Sequence, residues 1–175
     1  MSTILPGQIE IRAVRESDLE SILQVFKDSV WNISYEDYSR EQLDAWASAA
    51  HDIQRWKDKI KLQYFIVAYV NGKLVGFGAL ENNDLIDLLY VHKNFQGSGV
   101  GTGILENLIS IARSKGSNVL KAVVSKTARR FFEARGFAIA QEQSIQIKGI
   151  ALINYQMMKR FHSINTHLER LNEER

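Results

Sequence analysis

The feature that most constrains this 175-residue chain is a glycine-rich segment at residues 96–103, which reads QGSGVGTG. An apolar stretch at residues 85–91 precedes it, and a stretch with apolar residues at helical spacing follows. Glycine lets the backbone turn tightly and approach a ligand, because no Cβ stands in the way. The unpaired N–H groups at the start of the following helix would attract an anion. The segment therefore predicts a strand–loop–helix unit that binds phosphate.

Two common phosphate-binding motifs do not fit this segment. The dinucleotide fingerprint G-x-G-x-x-G fails from either Gly97 or Gly99, because its last position is not glycine. The P-loop requires Gly-Lys-Ser/Thr, which the segment lacks. The pattern that fits is Q/R-x-x-G-x-G/A, with Gln96, Gly99 and Gly101 in its defining positions. A helix-entry turn without a ligand is the alternative, but four glycines in seven residues are entropically costly for a mere turn.

The rest of the chain predicts helices and strands on both sides of this unit. Capping boxes at residues 17–20 and 39–42 predict two helix starts, and residues 52–60 have helical spacing. Asn71-Gly72 is a strong hairpin signal between two β-rich stretches. Two later helices are predicted at residues 101–115 and 127–135. Strands are predicted at residues 9–14, 64–70, 74–80, 85–91, 120–124, 137–140 and 150–158.

The order of these elements predicts the fold class. Residues 85–124 form a β-loop-α-β crossover, so its two strands should be parallel, whereas the flanking strands should pair antiparallel. We therefore predict an α/β (α+β) fold with a mixed, mainly antiparallel central sheet, one parallel β-α-β unit and helices on both faces. Residues 1–160 are expected to form a single domain, and residues 161–175 are expected to form a polar C-terminal tail.

Composition excludes several functional classes. The chain has no cysteine, which excludes disulfides, cysteine-ligated zinc and a cysteine nucleophile. Its four histidines lack ligand-like spacing, so we expect no metal. A net charge of +2 gives no indication of nucleic-acid binding. No signal-peptide pattern and no apolar run of roughly 18–20 residues is present, so we expect a cytoplasmic protein without a membrane partner.

Several motifs, in matching order, resemble the GNAT superfamily of acyl-CoA-dependent N-acyltransferases. The pattern at residues 96–101 resembles its pyrophosphate motif, residues 72–77 its preceding hairpin, and residues 88–92 its strand before the loop. Residues 128–137 resemble its A-x-x-x-Y-x-x-x-G-F segment. Lys93 replaces a usual proline. The resemblance runs from about residue 9 to residue 159, and Ser125-x-Thr127-Ala128 with residues 154–157 resembles the bacterial YafP-like branch.

The resemblance implies transfer of an acetyl group from acetyl-CoA to a primary amine, in a ternary complex. It implies that backbone N–H groups of the strand before the loop stabilise the thioester oxygen. A CoA-binding sensor without transferase activity is the alternative. The implied coenzyme-binding residues are Leu89, Tyr90, Val91, Gln96, Gly97, Ser98, Gly99, Val100, Gly101, Thr102, Ser125, Ala128, Phe131 and Phe132.

A transferase of this type needs a base to deprotonate the amine. Asp87 is the first candidate, because it interrupts an apolar strand at a position where many relatives carry an acid. A solvent-facing or Arg-paired carboxylate is the alternative for this residue, and Glu81 is the second candidate. Phe132 occupies the place of the family's proton-donating tyrosine and cannot donate. Ser125, Tyr155 or water could replace that acid, or no acid is needed; Ser125 could instead cap a helix or contact pantetheine.

The acceptor is expected to be a small-molecule or peptide amine, since the resemblance does not choose between them. Residues 31–38 hold three large aromatic side chains, Trp31, Tyr35 and Tyr38, in a stretch without helical periodicity. They could line a pocket for an amine with an apolar part. A homodimer is left open.

Overall fold

The computed structural model describes residues 9–161. Its strands are β1 (Ile9–Ala13), β2 (Tyr64–Val70), β3 (Lys73–Glu81), β4 (Leu85–Val91), β5 (Val119–Ser125), β6 (Ala138–Ile147) and β7 (Ile150–Arg160). Its helices are α1 (Leu19–Trp31), α2 (Arg40–Ala47), α3 (Ile53–Leu62), α4 (Val100–Ser114) and α5 (Arg129–Glu133). The predicted polar tail lies, apart from Phe161, outside the described residues.

All seven strands join one sheet in the order β1-β2-β3-β4-β5-β7-β6. Within the described chain, the pair β4–β5 is parallel and every other pair is antiparallel. The crossover between the parallel strands contains the glycine-rich segment and α4. The predicted mixed sheet with one β-α-β unit is therefore confirmed.

The helices cover both faces of this sheet, as predicted. On one face, which we call the coenzyme face after the expectation from the sequence, α4 and α5 pack over an apolar cluster that includes Ile104, Leu108 and Phe132. On the other, which we call the acceptor face after the expected amine acceptor, α1, α2 and α3 cover a second cluster that includes Phe26 and Trp56. Each buried apolar side chain of this size contributes about 1.5–3 kcal/mol by leaving water. The sheet is therefore held from both sides, and its middle strands are buried.

Two local features that the sequence predicted are present in the structure. The Ser39 Oγ accepts from the Gln42 N–H at 3.2 Å, and the Gln42 Oε1 accepts from the Ser39 N–H at 2.9 Å. This reciprocal pair is the predicted capping box, and α2 follows it. Asn71 and Gly72 both have positive φ, 50° and 75°, which suits the predicted tight hairpin turn.

The capping box predicted at residues 17–20 is wrong. Helix α1 begins at Leu19 after a 3-10 turn, and Ser17 does not cap it. The competing group is Asp18, whose Oδ2 accepts from the Arg15 N–H at 2.7 Å and pairs with Arg12 at 2.8 Å. A carboxylate with these charged and backbone partners sets the start of the turn, whereas the serine pattern supplied only a local preference.

Two predicted boundaries also differ from the structure. The strand predicted at residues 137–140 is β6, which continues to Ile147 along β7. Its later residues are mostly polar and exposed because β6 is an edge strand of the sheet, so the apolar pattern ended too early. The helix predicted at residues 127–135 is the shorter α5, because Ser125 and Thr127 form the turn that precedes it.

Candidate functional site

The strands β4 and β5 separate soon after they meet. They pair only at Leu85 with Lys121 and at Ile86 with Ala122. Beyond this point β4 continues along β3 to Val91, while β5 continues along β7 to Ser125. A cavity of about 420 Å³ lies at this opening and is lined by residues from both strands. The separation leaves the β5-side edge of β4 without a neighbouring strand, so its backbone groups are available to a ligand.

A bulge in β4 determines where Asp87 points. Ala79 pairs with Leu88 and Leu80 pairs with Ile86, so Asp87 is the extra residue between them. Ile86 packs on the coenzyme face, whereas Leu88 packs on the acceptor face. Asp87 also contacts α3, on the acceptor face. The bulge therefore places consecutive residues, Asp87 and Leu88, on the same side of the sheet.

The glycine loop has the backbone geometry that its sequence predicted. Gly97 and Gly99 have φ of 73° and 93°, values that residues with a Cβ rarely adopt. Gly99 is the N-cap of α4, and its carbonyl accepts the first helical bond from Gly103 at 2.9 Å. The N–H groups of the first turn therefore have no intrahelical partner. A Cβ on Gly101 would lie 3.4 Å from the Phe131 ring, an ordinary contact distance, so Gly101 lies directly against this wall of the cavity.

Side chains of the loop divide between the cavity and the protein interior. Gln96 lines the cavity, and its Nε2 donates to the Val91 carbonyl at 3.3 Å. The Ser98 hydroxyl donates to the Phe95 carbonyl at 2.5 Å, and Val100 is buried in the core. Neither of these two side chains lines the cavity. The remaining predicted coenzyme-binding residues all line it: Leu89, Tyr90, Val91, Gln96, Gly97, Gly99, Gly101, Thr102, Ser125, Ala128, Phe131 and Phe132.

Asp87 lines the same cavity and is held by two residues from the end of α3. The Lys59 ammonium forms an ion pair with its Oδ2, and the Gln63 Nε2 donates to the same oxygen at 2.8 Å. The other carboxylate oxygen, Oδ1, makes no hydrogen bond within the described residues. The carboxylate is therefore neither fully solvent-facing nor paired with arginine; its partner is a lysine.

The other catalytic candidates lie at different distances from this cavity. Ser125 lines it, and its Oγ accepts from the Ala128 N–H at 3.2 Å, within the turn between β5 and α5. Tyr155 is buried on the coenzyme face beneath the Arg129 guanidinium, which lies 5.3 Å from its ring centroid. Glu81 ends β3 opposite Leu85. Neither Tyr155 nor Glu81 is among the lining residues.

The aromatic side chains on the acceptor side are not those that the sequence favoured. Trp46 and Tyr90 line the cavity with Ile33, and their rings pack edge to face at 6.5 Å. Burial raises the pKa of Tyr90, so its hydroxyl stays protonated at neutral pH. Trp31 and Tyr35 are exposed and do not line the cavity. The hypothesis that residues 31–38 supply the aromatic wall is therefore wrong for both.

Tyr38, the third aromatic residue of that segment, is buried and has a structural role. Its hydroxyl donates to the Ile153 carbonyl at 2.6 Å and accepts from the Lys126 N–H at 3.0 Å. Nearby, the Thr127 hydroxyl donates to Asp37 at 2.6 Å. These contacts fasten the α1–α2 loop to the β5–α5 turn, at one end of the cavity.

Among the residues that sequence reasoning missed, three have side chains that contact Asp87 or the glycine loop. Lys59 and Gln63 are four positions apart, which places them on the same side of a helix end, but no motif marks them. Arg135 lies beside the glycine loop, where its Nη2 donates to the Thr102 Oγ1 at 2.5 Å. Asp87 and Arg135 are the two charged side chains among the described residues that line the cavity. Only the tertiary structure shows that Lys59 and Gln63 lie beside the strand opening and that Arg135 lies beside the glycine loop.

Within residues 9–161, no cluster has three or more histidine, cysteine or acidic side chains placed to hold a metal ion. None of the helices α1 to α5 has the length and hydropathy needed to cross a membrane.

Several proteins that are named as N-acetyltransferases are similar to this chain in sequence or fold. A family model described as "Acetyltransferase (GNAT) domain" matches residues 34–159. The uncharacterized N-acetyltransferase YafP of Escherichia coli K12 is 31% identical over 152 residues, which cover 86% of this chain and 95% of that protein.

Two solved structures have the same fold. A GCN5-related N-acetyltransferase from Rhodopseudomonas palustris superposes with a TM-score of 0.87 at 32% identity, over 91% of this chain and 100% of that chain. The PaiA N-acetyltransferase of Thermoplasma acidophilum, crystallised with coenzyme A, has a TM-score of 0.71 at 22% identity, over 87% and 99% of the two chains. The match to the family model and the identity to YafP over most of the chain show that this protein belongs to the GNAT acetyltransferase family.

Proposed function

We propose that this protein transfers the acetyl group of acetyl-CoA to a primary amine by direct attack in a ternary complex. One observation carries the proposal: a single cavity reaches both the glycine loop at the start of α4 and the Asp87 carboxylate on the acceptor face. The opening between β4 and β5 connects the two. An anionic coenzyme and an amine can therefore enter from opposite faces of the sheet and meet at β4.

The coenzyme would lie along the glycine loop and the start of α4. The free N–H groups and the positive end of α4 suit a pyrophosphate, and the positive φ of Gly97 and Gly99 exposes the loop backbone to it. The free edge of β4 at residues 89–91 would donate backbone N–H groups to the thioester arm and its carbonyl oxygen. Phe131 and Phe132 would form the apolar wall beside that arm.

Asp87 would act as the general base. An amine with a pKa near 10 is an ammonium at neutral pH and has no lone pair for attack. The Asp87 Oδ2 is held by Lys59 and Gln63, so Oδ1 is the oxygen that can accept the proton, directly or through water. Glu81 remains the second candidate, although it does not line the cavity.

The thiolate leaving group would depart without a tyrosine acid. Phe132 occupies that position and has no proton to donate. Of the two hydroxyl candidates, Ser125 lines the cavity and Tyr155 does not, so Ser125 or water is the better donor. A thiolate is a much weaker base than an alkoxide, so it is a fair leaving group even without an acid.

The acceptor would be an amine on an apolar body. Ile33, Trp46, Tyr90 and Val123 line the acceptor side of the cavity, and Asp87 is the one charged group that the described residues present there. A second ammonium, as in a polyamine, would have no carboxylate among these residues. A carboxylate, as in an amino acid, would find no unpaired cation among the described residues that line this side of the cavity, because the nearby Lys59 ammonium is already paired with Asp87. A monoamine with an aromatic or branched aliphatic group fits both limits.

An assay of thiol release tests the proposal. Acetyl-CoA is incubated with the protein and with panels of monoamines, polyamines, amino acids and peptides, and the free thiol and the acetylated product are measured. We expect release only with an amine, fastest with apolar monoamines, and initial-rate lines that intersect. Parallel lines, or an acetylated protein in the absence of amine, would contradict direct attack.

A CoA-binding protein without transferase activity is the second candidate. The Lys59 ion pair favours it, because an ammonium already occupies one oxygen of the proposed base. In that case acetyl-CoA would bind tightly, and no amine in the panel would release thiol above the rate without protein.

A further inference from the structure

An arginine from the end of the α5 segment lies beside the glycine loop. Arg135 follows α5, and its Nη1 donates to the Phe131 carbonyl at 2.9 Å. Its Nη2 donates to the Thr102 Oγ1 at 2.5 Å, and its guanidinium carbon lies 3.7 Å from the centroid of the Phe131 ring. These three contacts fix the plane of the guanidinium against the wall of the cavity.

This guanidinium has more donors than partners. It carries five N–H groups, of which the two contacts above use two. The Nε atom is buried and has no hydrogen-bond partner in the described chain, and no described carboxylate forms a salt bridge with Arg135. A partly buried cation with unmade hydrogen bonds is costly to hold, because it has lost water without gaining a counter-ion. Each of the two Nη atoms retains one N–H beyond these contacts, and an anion against them would supply the missing counter-charge.

The position of Thr102 indicates which anion. Thr102 lies in the first turn of α4, where the N–H groups have no intrahelical partner. Residues 96–103 contain no charged side chain, so the loop by itself offers backbone amides and the helix dipole. Arg135 adds a full positive charge beside them, and its planar donor set suits phosphate oxygens.

We propose that Arg135 binds the pyrophosphate of the coenzyme from the α5 side and so completes the anion site of the glycine loop. The inference rests on the proposed function, because it requires that the coenzyme lies in this cavity. It assigns to Arg135 the recognition of the diphosphate, and no role in positioning the thioester arm or the adenosine 3′-phosphate.

The test measures binding by titration calorimetry with CoA, 3′-dephospho-CoA and pantetheine, on the wild-type protein and on Arg135→Gln, Arg135→Lys and Arg130→Gln. Arg130 is the matched control, because it lies on α5, is exposed and loses the same charge when changed to glutamine. Arg135→Lys keeps the charge and loses the planar donor set. Thermal unfolding of each variant checks that it is folded.

We expect Arg135→Gln to weaken CoA and 3′-dephospho-CoA equally, by about 10- to 100-fold, as loss of a charge-assisted contact would do. Pantetheine binding should be unchanged, Arg135→Lys should be intermediate, and Arg130→Gln should bind like the wild-type protein. This pattern, with folded variants, supports the proposal.

Four outcomes would overturn it. A loss for CoA but not for 3′-dephospho-CoA would assign Arg135 to the 3′-phosphate. A loss for all three ligands, including pantetheine, would mean that Arg135 only supports the Phe131 wall. Equal binding by the wild-type protein and Arg135→Gln would remove the residue from the site. If the wild-type protein itself bound CoA no better than pantetheine, the proposed coenzyme site would fail, and this inference would fail with it.

Discussion

The Asp87 carboxylate forms an ion pair with Lys59 at the end of α3, on the opposite face of the sheet from α4. The Lys59 side chain is 17% exposed and the Asp87 side chain is 21% exposed. The pair is therefore neither fully buried nor screened by solvent ions as a pair on the surface would be. The pair joins α3 to β4 at the bulge, next to the opening between β4 and β5. The pair therefore joins a helix to the sheet through the same carboxylate that we propose as the general base.

We predict that Asp87→Asn slows acetyl transfer by about 10²–10⁴-fold, the usual effect of losing a general base. Asparagine keeps the shape of the side chain, so CoA affinity should change little. The deficit should shrink at high pH, because more of the amine is then already deprotonated. Steady-state rates from neutral to alkaline pH, together with CoA titrations, measure both effects. Asp84→Asn is the control, since Asp84 pairs with Lys121 and does not line the cavity. Near-normal rates in folded Asp87→Asn would remove Asp87 from this role and make Glu81 the next residue to test.

We predict that the effects of Lys59→Met and Asp87→Asn on the free energy of unfolding are not additive. Each single change leaves the remaining charged side chain without its partner, whereas the double change removes both charges. For a pair between the surface and buried classes, the coupling free energy should be about 1–3 kcal/mol. Urea unfolding of the four proteins in this double-mutant cycle measures it. A coupling near zero would mean that the contact adds nothing to stability.

We predict that Gly101→Ala retains CoA binding and that Gly101→Val loses at least about tenfold in affinity. A Cβ here would lie 3.4 Å from the Phe131 ring and 3.5 Å from the Val91 Cγ2, which are tolerable contacts. The two further methyl groups of valine would reduce the space at this wall of the cavity, where we propose that the coenzyme binds. Calorimetry on folded variants measures the difference. Wild-type affinity in Gly101→Val would place the coenzyme elsewhere.

We predict that stability falls in acid partly because of Asp18. Its hydrogen bond with Arg12 lowers the pKa of Asp18 to about 2, although burial opposes the shift. Because the folded-state pKa lies below the unfolded-state value, the stabilisation is complete above about pH 4. It is lost as the pH falls through about 2. The contribution at neutral pH should be about 2 kcal/mol.

Denaturant unfolding of the wild-type protein and Asp18→Asn at pH 7, 5 and 3 tests this assignment. The difference between the two proteins should narrow as the pH falls. Asp44→Asn is the control, because Asp44 forms an exposed pair with Arg40 and should change stability by less than about 1 kcal/mol at any pH. A difference for Asp18→Asn that stays constant with pH would exclude the ionised carboxylate as its cause.

Much of the fold could be predicted from the sequence, because the signals are local. The Asn71-Gly72 turn, the capping box at Ser39 and the glycine loop each depend on residues within a few positions of one another. The apolar run of β4 and the helical spacing of α4 follow from burial and periodicity in the same way. These signals were enough to predict the mixed sheet, the crossover and the position of the loop.

What only the tertiary structure decided depends on residues that are far apart in the chain. The opening between β4 and β5 depends on how β4 pairs with β5 and how β5 pairs with β7. The bulge at Asp87 depends on how β3 pairs with β4. No local sequence pattern specifies these registers. Lys59 meets Asp87 across 28 positions, and Arg135 meets Thr102 across 33. The same reason explains the edge strand β6, whose polar residues form a strand because β7 supplies the partner. Periodicity reports which side of an element is buried, but only packing determines which charged and aromatic side chains share a cavity.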